Sequence, residues 1–197
     1  FQSERSYNIG LSGRAQKALK ELDALDRVLQ YVCPLQAAAF WTPSSNGQPN
    51  IEVTTGRKYT TLCIERDRLV GALVEEIEDK FRDRVSITWN TKCTAVAWQD
   101  IGSPAETAEL VLQSPSQTLL VNASLVLGAD GANSLLREKM SYLSAAVRPV
   151  AFPETNTYVY KTFPAALPPQ FHNMSLSMRS AEGRLVEALP TKETIHL

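Results

Sequence analysis

Gly128-Ala129-Asp130-Gly131 is the stretch whose residue types and spacing best suit chemistry. It follows the apolar run Leu125-Val126-Leu127 and precedes Ser134-Leu135-Leu136-Arg137, an order that reads as a short, fully buried strand, a turn and the opening of a helix. Open parallel sheets bind nucleotides just beyond the carboxyl ends of their strands. A carboxylate in that place accepts hydrogen bonds from ribose hydroxyls. The flanking glycines let backbone come close to a ligand, and a helix start offers free N–H groups to an anion. The same four residues also make a tight strand-to-helix turn with Asp130 as its cap. Taken alone, they leave the two readings even.

Arg66 is the second candidate. It stands in the first turn of a predicted helix, where a cation opposes the positive end of the helix dipole. A nearby phosphate would remove that mismatch, and so would the adjacent Glu65 and Asp67. Arg5, Arg14 and Arg137 are further basic residues, each read first as solvated surface. His172 and His196 have no partner at metal-ligand or triad spacing, and Trp41, Trp89 and Trp98 read as packing residues. Cys33, Cys63 and Cys93 form neither a C-x-x-C pair nor a ligand cluster, so no disulfide framework and no metal site is expected. The N-x-S triplets at Asn122 and Asn173 read as chance matches.

The elements that must position these residues follow from periodicity and turn chemistry. Ser12 precedes a helical pattern in Ala15, Ala18, Leu19, Leu22 and Leu25, and further helical turns run to Pro34. Thr42–Asn50 is a loop by composition, and Ile51–Thr55 and Tyr59–Ile64 read as strands. From Arg66 a strong helix presents Leu69, Leu73, Ile77, Val70, Val74 and Phe81 on one broad apolar face. Val85, Ile87 and Trp89 alternate as in a strand, and Val96 and Trp98 resume the pattern. Ala108–Gln113 and Thr118–Val121 make a hairpin about Ser114-Pro115-Ser116, and a helix runs from Ser134 to about Met140. Beyond Met140, prolines punctuate strands at Thr157–Phe163, Met174–Met178 and Arg184–Leu189, the texture of an antiparallel sheet with edges.

The chain has 197 residues, is 44% hydrophobic and carries a net charge of -1, so it is large enough for a real core and has no field that would draw nucleic acid or an anionic membrane. No apolar run approaches the roughly 18–20 residues needed to span a bilayer. Three scattered cysteines suit a reducing, intracellular compartment. The chain opens on Phe1-Gln2-Ser3 and closes on Ile195-His196-Leu197, ends that suggest an internal piece of a longer protein.

In order along the chain stand Arg5-Ser6-Tyr7-Asn8-Ile9-Gly10-Leu11-Ser12-x-Arg14, then Arg66-x-x-Leu69-x-x-x-Leu73, then Gly128-Ala129-Asp130-Gly131-Ala132-x-Ser134-x-x-Arg137. This order resembles the class A FAD-dependent monooxygenases, the aromatic hydroxylase superfamily, and most of all its kynurenine 3-monooxygenase branch. Ala188-Leu189-Pro190 after a strand is a further similarity. The resemblance implies an α/β (α+β) chain: an incomplete FAD-binding Rossmann-like fold of the GR2 type, with an antiparallel sheet as substrate layer. Residues 1–142 would be part of the FAD/NAD(P)-binding domain and 143–197 part of the substrate domain.

It also implies roles. Arg66 would hold the phosphate and ribose region of FAD, a task that suits its planar fork. Asp130, with Gly128 and Gly131, would serve FAD and NADPH, Gly10 would offer backbone to the flavin cofactor, and the backbone at Cys93 would meet the adenine. The activity implied is hydroxylation of an aromatic or related small molecule through a flavin hydroperoxide, with NADPH as reductant. The cofactor carries the difficult step, so no residue of this chain is assigned to catalysis.

Two departures stand against the family pattern. The glycine-rich first turn and the second glycine-aspartate motif are not in this sequence. The kynurenine enzymes grip the amino-acid end of their substrate with an arginine and a tyrosine, but Gln36–Trp41 holds no arginine and Ile51–Thr55 no tyrosine. An unpaired carboxylate is costly, which argues against kynurenine itself. An inert nucleotide-binding or interaction module of the same fold, and a flavin-dependent reductase or epoxidase, remain as rival readings.

Overall fold

The structure, a computed structural model, describes residues 7–45, 48–56, 59–99, 107–143, 146–150, 162–166, 169–180, 182–192 and 195–196. Its elements in chain order are β1 (Asn8–Leu11), α1 (Gly13–Glu21), α2 (Leu25–Leu29), β2 (Cys33–Leu35), β3 (Ala37–Thr42), β4 (Asn50–Thr55), β5 (Thr61–Glu65) and α3 (Arg66–Lys80). There follow β6 (Lys92–Gln99), β7 (Thr107–Gln113), β8 (Thr118–Ala123), α4 (Leu135–Leu143), β9 (Pro164–Ala165), β10 (Met174–Arg179), β11 (Leu185–Pro190) and β12 (Ile195–His196). No helix among the described residues is long and apolar enough to cross a membrane.

By contact the chain forms two compact units, residues 1–85 with 158–197, and residues 86–157. These units are drawn from other stretches than the two functional domains expected on either side of residue 142.

In the first unit β1, β5 and β2 form an antiparallel sheet with β5 in the middle. Burial of both its faces explains why Leu62, Cys63 and Ile64 are consecutively apolar. Ile64 and Val28 are fully buried, and Leu11, Leu19, Ala24, Leu62 and Ala72 complete that core. The expected face of the first helix is only partly right: Leu19 is buried, but Leu22 is 68% exposed, because the helix stops at Glu21 and Asp23 takes a positive φ of 55°. The face of α3 is also narrower than its periodicity suggests. Ala72 and Glu76 are its buried residues, flanked by partly buried Leu69 and Leu73. Glu76 is tolerated inside because Arg27 Nε donates to it at 3.2 Å and Lys80 pairs with it from the next turn. Arg27 also meets Asp79, and Lys80 reaches Asp23 at 2.8 Å, so α2 and α3 are joined by a line of alternating charge.

The first unit also holds a six-stranded sheet in the order β4-β3-β10-β11-β12-β9. β3 was not expected as a strand, since Ala37-Ala38-Ala39 has little β propensity. All three alanines are buried, and β3 runs between β4 and β10, which supply its pairing on both edges. The strands after Met140 pair antiparallel as expected, β10 with β11, β11 with β12 and β12 with β9, while β3 joins β10 in parallel, so the sheet as a whole is mixed. Ala39, Leu176 and Ala188 form its core, with Phe171 packed on them and set edge-on to Trp41 at 5.8 Å. β10 and β11 fall where strands were expected; most of the strand expected over Thr157–Phe163 lies outside the described residues.

The second unit is an antiparallel meander, β6-β7-β8, with α4 packed against β6. The hairpin about Ser114-Pro115-Ser116 forms as its turn residues require, with Ser114 N donating to Gln117 O at 2.9 Å. Two expectations fail here. Val85–Trp89 is not a strand. Leu125-Val126-Leu127 is not buried either: Leu125 is 74% and Leu127 82% exposed, and no strand among the described residues lies beside them. An apolar segment is buried only where a neighbour covers it.

Candidate functional site

Each unit carries part of the expected site. In the second, the turn Gly128–Gly131 leads into α4, and the geometry explains each residue type. A Cβ on Gly128 would lie 2.8 Å from Leu136 Cδ2 and 3.3 Å from Leu136 Cβ, so helix and turn approach closely only because it is glycine. Gly131 has φ of +80°, a conformation that L side chains rarely adopt, and nothing lies within 4 Å of the position a Cβ would take. Asp130 Oδ2 accepts the N–H of Leu135 at 2.8 Å and, less closely, that of Leu136 at 3.5 Å. Ser134 Oγ accepts the N–H of Arg137 at 3.0 Å, and the Arg137 side chain turns back to Ala132 O. Asp130 and Ser134 therefore cap α4 together, so the capping part of the turn reading holds, without the strand that was to precede it. The Ser134 hydroxyl and the helix N–H groups hold its carboxyl below the ordinary carboxylate value, so it is anionic at neutral pH. The residue is also exposed.

Cys93, the second residue of β6, sits opposite Leu112 at a bulge between Cys93 and Ala95. Its thiol donates weakly to Ala95 O at 3.5 Å. A cavity of about 360 Å³ lies at this end of the meander, lined by Trp89, Asn90, Thr91, Leu112, Ser114 and Gln117 among others. Trp89 is half exposed, at the edge of the fold and not in its core.

In the first unit the β1–β5 ladder brings Gly10 and Arg66 into one neighbourhood. Gly10 pairs with Cys63, Asn8 with Glu65, and Arg66 N donates to Tyr7 O at 3.0 Å. Thr61 Cγ2 lies 3.0 Å from where a Gly10 Cβ would sit, so β1 has little room for a side chain there. The Arg66 guanidinium lies 5.0 Å from the centre of the Tyr7 ring and within 3.4 Å of Asp67 Oδ1, and its side chain is 43% exposed. Asp67 thus neutralises the cation at the helix start, as one sequence reading had it, while the fork stays in reach of a ligand.

Other expected residues fall elsewhere. Arg14 and His172 are exposed. Arg5 lies outside the described residues, and Phe163, the last residue of the strand expected over Thr157–Phe163, is exposed and outside any strand. No group of three or more His, Cys, Asp or Glu among the described residues could hold a metal ion. Asn8 carries a role that no sequence signal announced. Its Nδ2 donates to Leu189 O at 2.7 Å and ties β1 to β11, while its Oδ1, like Trp41 Nε1, is buried without a hydrogen-bond partner. Only the pairing of β1 with distant strands could have shown it.

No protein-family model and no curated protein matches the sequence. Solved structures do match. A p-nitrophenol 4-monooxygenase, PnpA, from Pseudomonas putida superposes with a TM-score of 0.63 at 14% identity, covering 100% of this chain and 47% of that one. An HpxO variant from Klebsiella pneumoniae, complexed with FAD, superposes with a TM-score of 0.59 at 14% identity, over 96% of this chain and 46% of that one. A 2-methyl-3-hydroxypyridine-5-carboxylic acid oxygenase gives 0.56 at 19% identity, over 98% and 47%. The chain spans about half the length of each. At these identities the likeness establishes the fold: this chain is built like part of those enzymes.

Proposed function

We propose that this chain is part of a class A, FAD-binding, NADPH-dependent monooxygenase that hydroxylates an aromatic or related small molecule. One observation carries the reading: 96% of the chain superposes on a protein complexed with FAD, and the chain's own motifs independently point to that cofactor. The residues fit the group. Asp130 offers an exposed carboxylate to ribose hydroxyls, and Gly131 leaves its backbone open to close approach. Arg66 presents a partly exposed fork suited to a phosphate. Gly10 beside Arg66 in the first unit, and Gly128 and the backbone at Cys93 in the second, are the other residues that the resemblance assigns to the cofactor. Bound FAD, reduced by NADPH, would supply the oxygen chemistry; the protein's part is to bind, orient and exclude water.

The finer expectations belong to the same proposal: a GR2-type Rossmann-like core, a cofactor part over residues 1–142, a substrate part over 143–197, and an intracellular location in keeping with three free thiols. The kynurenine branch supplies the nearest motif likeness, with a substrate other than kynurenine itself.

A second reading, an inert module of the same fold, is favoured by the engagement of Asp130 Oδ2 in capping α4. An absorbance scan of the full-length protein separates the two. A bound flavin that NADPH bleaches supports the enzyme; a folded, colourless preparation that FAD cannot reconstitute would sink it.

A further inference from the structure

Cys33 and Cys63 are direct partners in the register of β2 against β5. Their side chains therefore leave the sheet on the same face. Pro34, the next residue of β2, has no N–H to give. Cys33↔Cys63 and Leu35↔Thr61 are thus the hydrogen-bonded pairs of this ladder, with Cα atoms about 5.5 Å apart. That separation falls inside the roughly 4.4–6.8 Å that a disulfide spans. Both thiols are free, and Cys33 is 6% and Cys63 0% exposed, with Leu35 and Leu189 beside them. Cys33 Sγ donates to Asn173 Oδ1 at 3.3 Å. On the other side of β5, Cys63 pairs with Gly10, so Cys33, Cys63 and Gly10 form one row across the sheet.

We propose that Cys33 and Cys63 are a modification site, oxidised reversibly by a peroxide to a cross-strand disulfide, with Cys33 as the attacking thiol. The Cys33 sulfur attacks one oxygen of hydrogen peroxide and the O–O bond breaks. Hydroxide leaves, takes up the thiol proton as water, and Cys33 becomes a sulfenic acid. The Cys63 sulfur then displaces that hydroxyl, which departs as a second water with the Cys63 proton, and the S–S bond forms. The two thiols lose two electrons and two protons, and the peroxide takes both.

β2 is what makes the site reachable. It has three residues and lies at the sheet edge, so its opening is the local fluctuation that brings Cys33 to solvent. While it is closed, burial pushes both thiols up, Cys63 to about 12 with the nearby Cys33 adding to it, and the pair stays reduced. Once formed, the bond fastens β2 to the strand that holds Gly10 in place.

The test treats the full-length protein with hydrogen peroxide, then denatures, alkylates and digests it without reductant. The expected result is a linked pair of peptides containing Cys33 and Cys63, released by dithiothreitol, in both the native protein and Cys93→Ser. Amide exchange in β2 should slow on oxidation. In Cys63→Ser, Cys33 should accumulate as a sulfenic acid that dimedone traps. Linkage through Cys93, or full alkylation of Cys33 and Cys63 after a treatment that oxidises Cys93, overturns the proposal; a dimedone adduct on Cys63 alone, in Cys33→Ser but not in Cys63→Ser, overturns the order of attack. None of these readouts depends on a flavin.

Discussion

Gly128→Ala isolates the contact between the motif turn and α4. The new methyl would lie 2.8 Å from Leu136 Cδ2 and 3.3 Å from Leu136 Cβ, against about 3.5–4.0 Å for carbons at rest. Cδ2 can swing away by a rotamer change, but Cβ moves only with the helix backbone. α4 must then retreat by a few tenths of an ångström, stretching the bonds from Leu135 N and Leu136 N to Asp130 Oδ2. Overpacking of this kind costs about 1–3 kcal/mol, and the partial exposure of Leu136 places the expected loss in the lower half, about 1–2 kcal/mol. Leu136→Ala removes the nearer clash, so the double variant should be less destabilised than the sum of the singles, by about 0.5–1.5 kcal/mol. Urea unfolding gives the energies, and hydrogen exchange at Leu135 and Leu136 shows whether the first turn of α4 frays. Wild-type exchange with strictly additive variants would refute the argument. Gly128 would then be glycine for the ligand's sake alone, and FAD titration would show weaker binding at unchanged stability.

Asp130→Asn keeps an acceptor for the Leu135 N–H but loses the charge, so circular dichroism should change little while FAD affinity falls about 10-fold, the scale of a lost charge-assisted hydrogen bond; unchanged affinity would leave Asp130 as a cap only. Glu76 has its carboxyl held below its ordinary 4.5, by Lys80 first and then Arg27, against the opposing effect of burial. A depressed folded value means that its stabilisation is complete above pH 4.5 and is lost as pH falls through the lowered value. Glu76→Gln should accordingly be less stable than the native protein at pH 7, and that gap should close on acidification; a constant gap from pH 7 to 3 would show that the ion pairs contribute nothing. Ile64→Ala empties a fully buried site beside Val28 and Leu62 and should cost about 2–5 kcal/mol in urea unfolding; a loss below 1 kcal/mol would mean that this core is not where stability resides.

Local chemistry was legible. The helix from Arg66, the Ser114–Gln117 hairpin and the turn into α4 each depend on residues within a few positions of one another, and each formed where turn residues and periodicity placed it. The same locality explains why both readings of Asp130 could be stated beforehand: a cap and a ribose ligand use the same carboxylate. Burial was less legible. Glu76 reads as surface and is inside, because Arg27, some fifty residues earlier in the chain, comes to meet it. Leu125 and Leu127 read as core and are exposed, because burial belongs to a neighbour and not to a residue.

By itself, then, the sequence determined where the chain turns, which segments coil, and that a glycine-bracketed carboxylate heads a helix. Tertiary structure alone decided the rest. It made a strand of Ala37–Thr42 by laying β10 parallel beside it, and it paired Cys33 with Cys63 and Cys63 with Gly10 across β5. The physical reason is range: capping, turn formation and helical periodicity act over a few residues, whereas register and burial are settled by partners that the chain reaches only once it has folded.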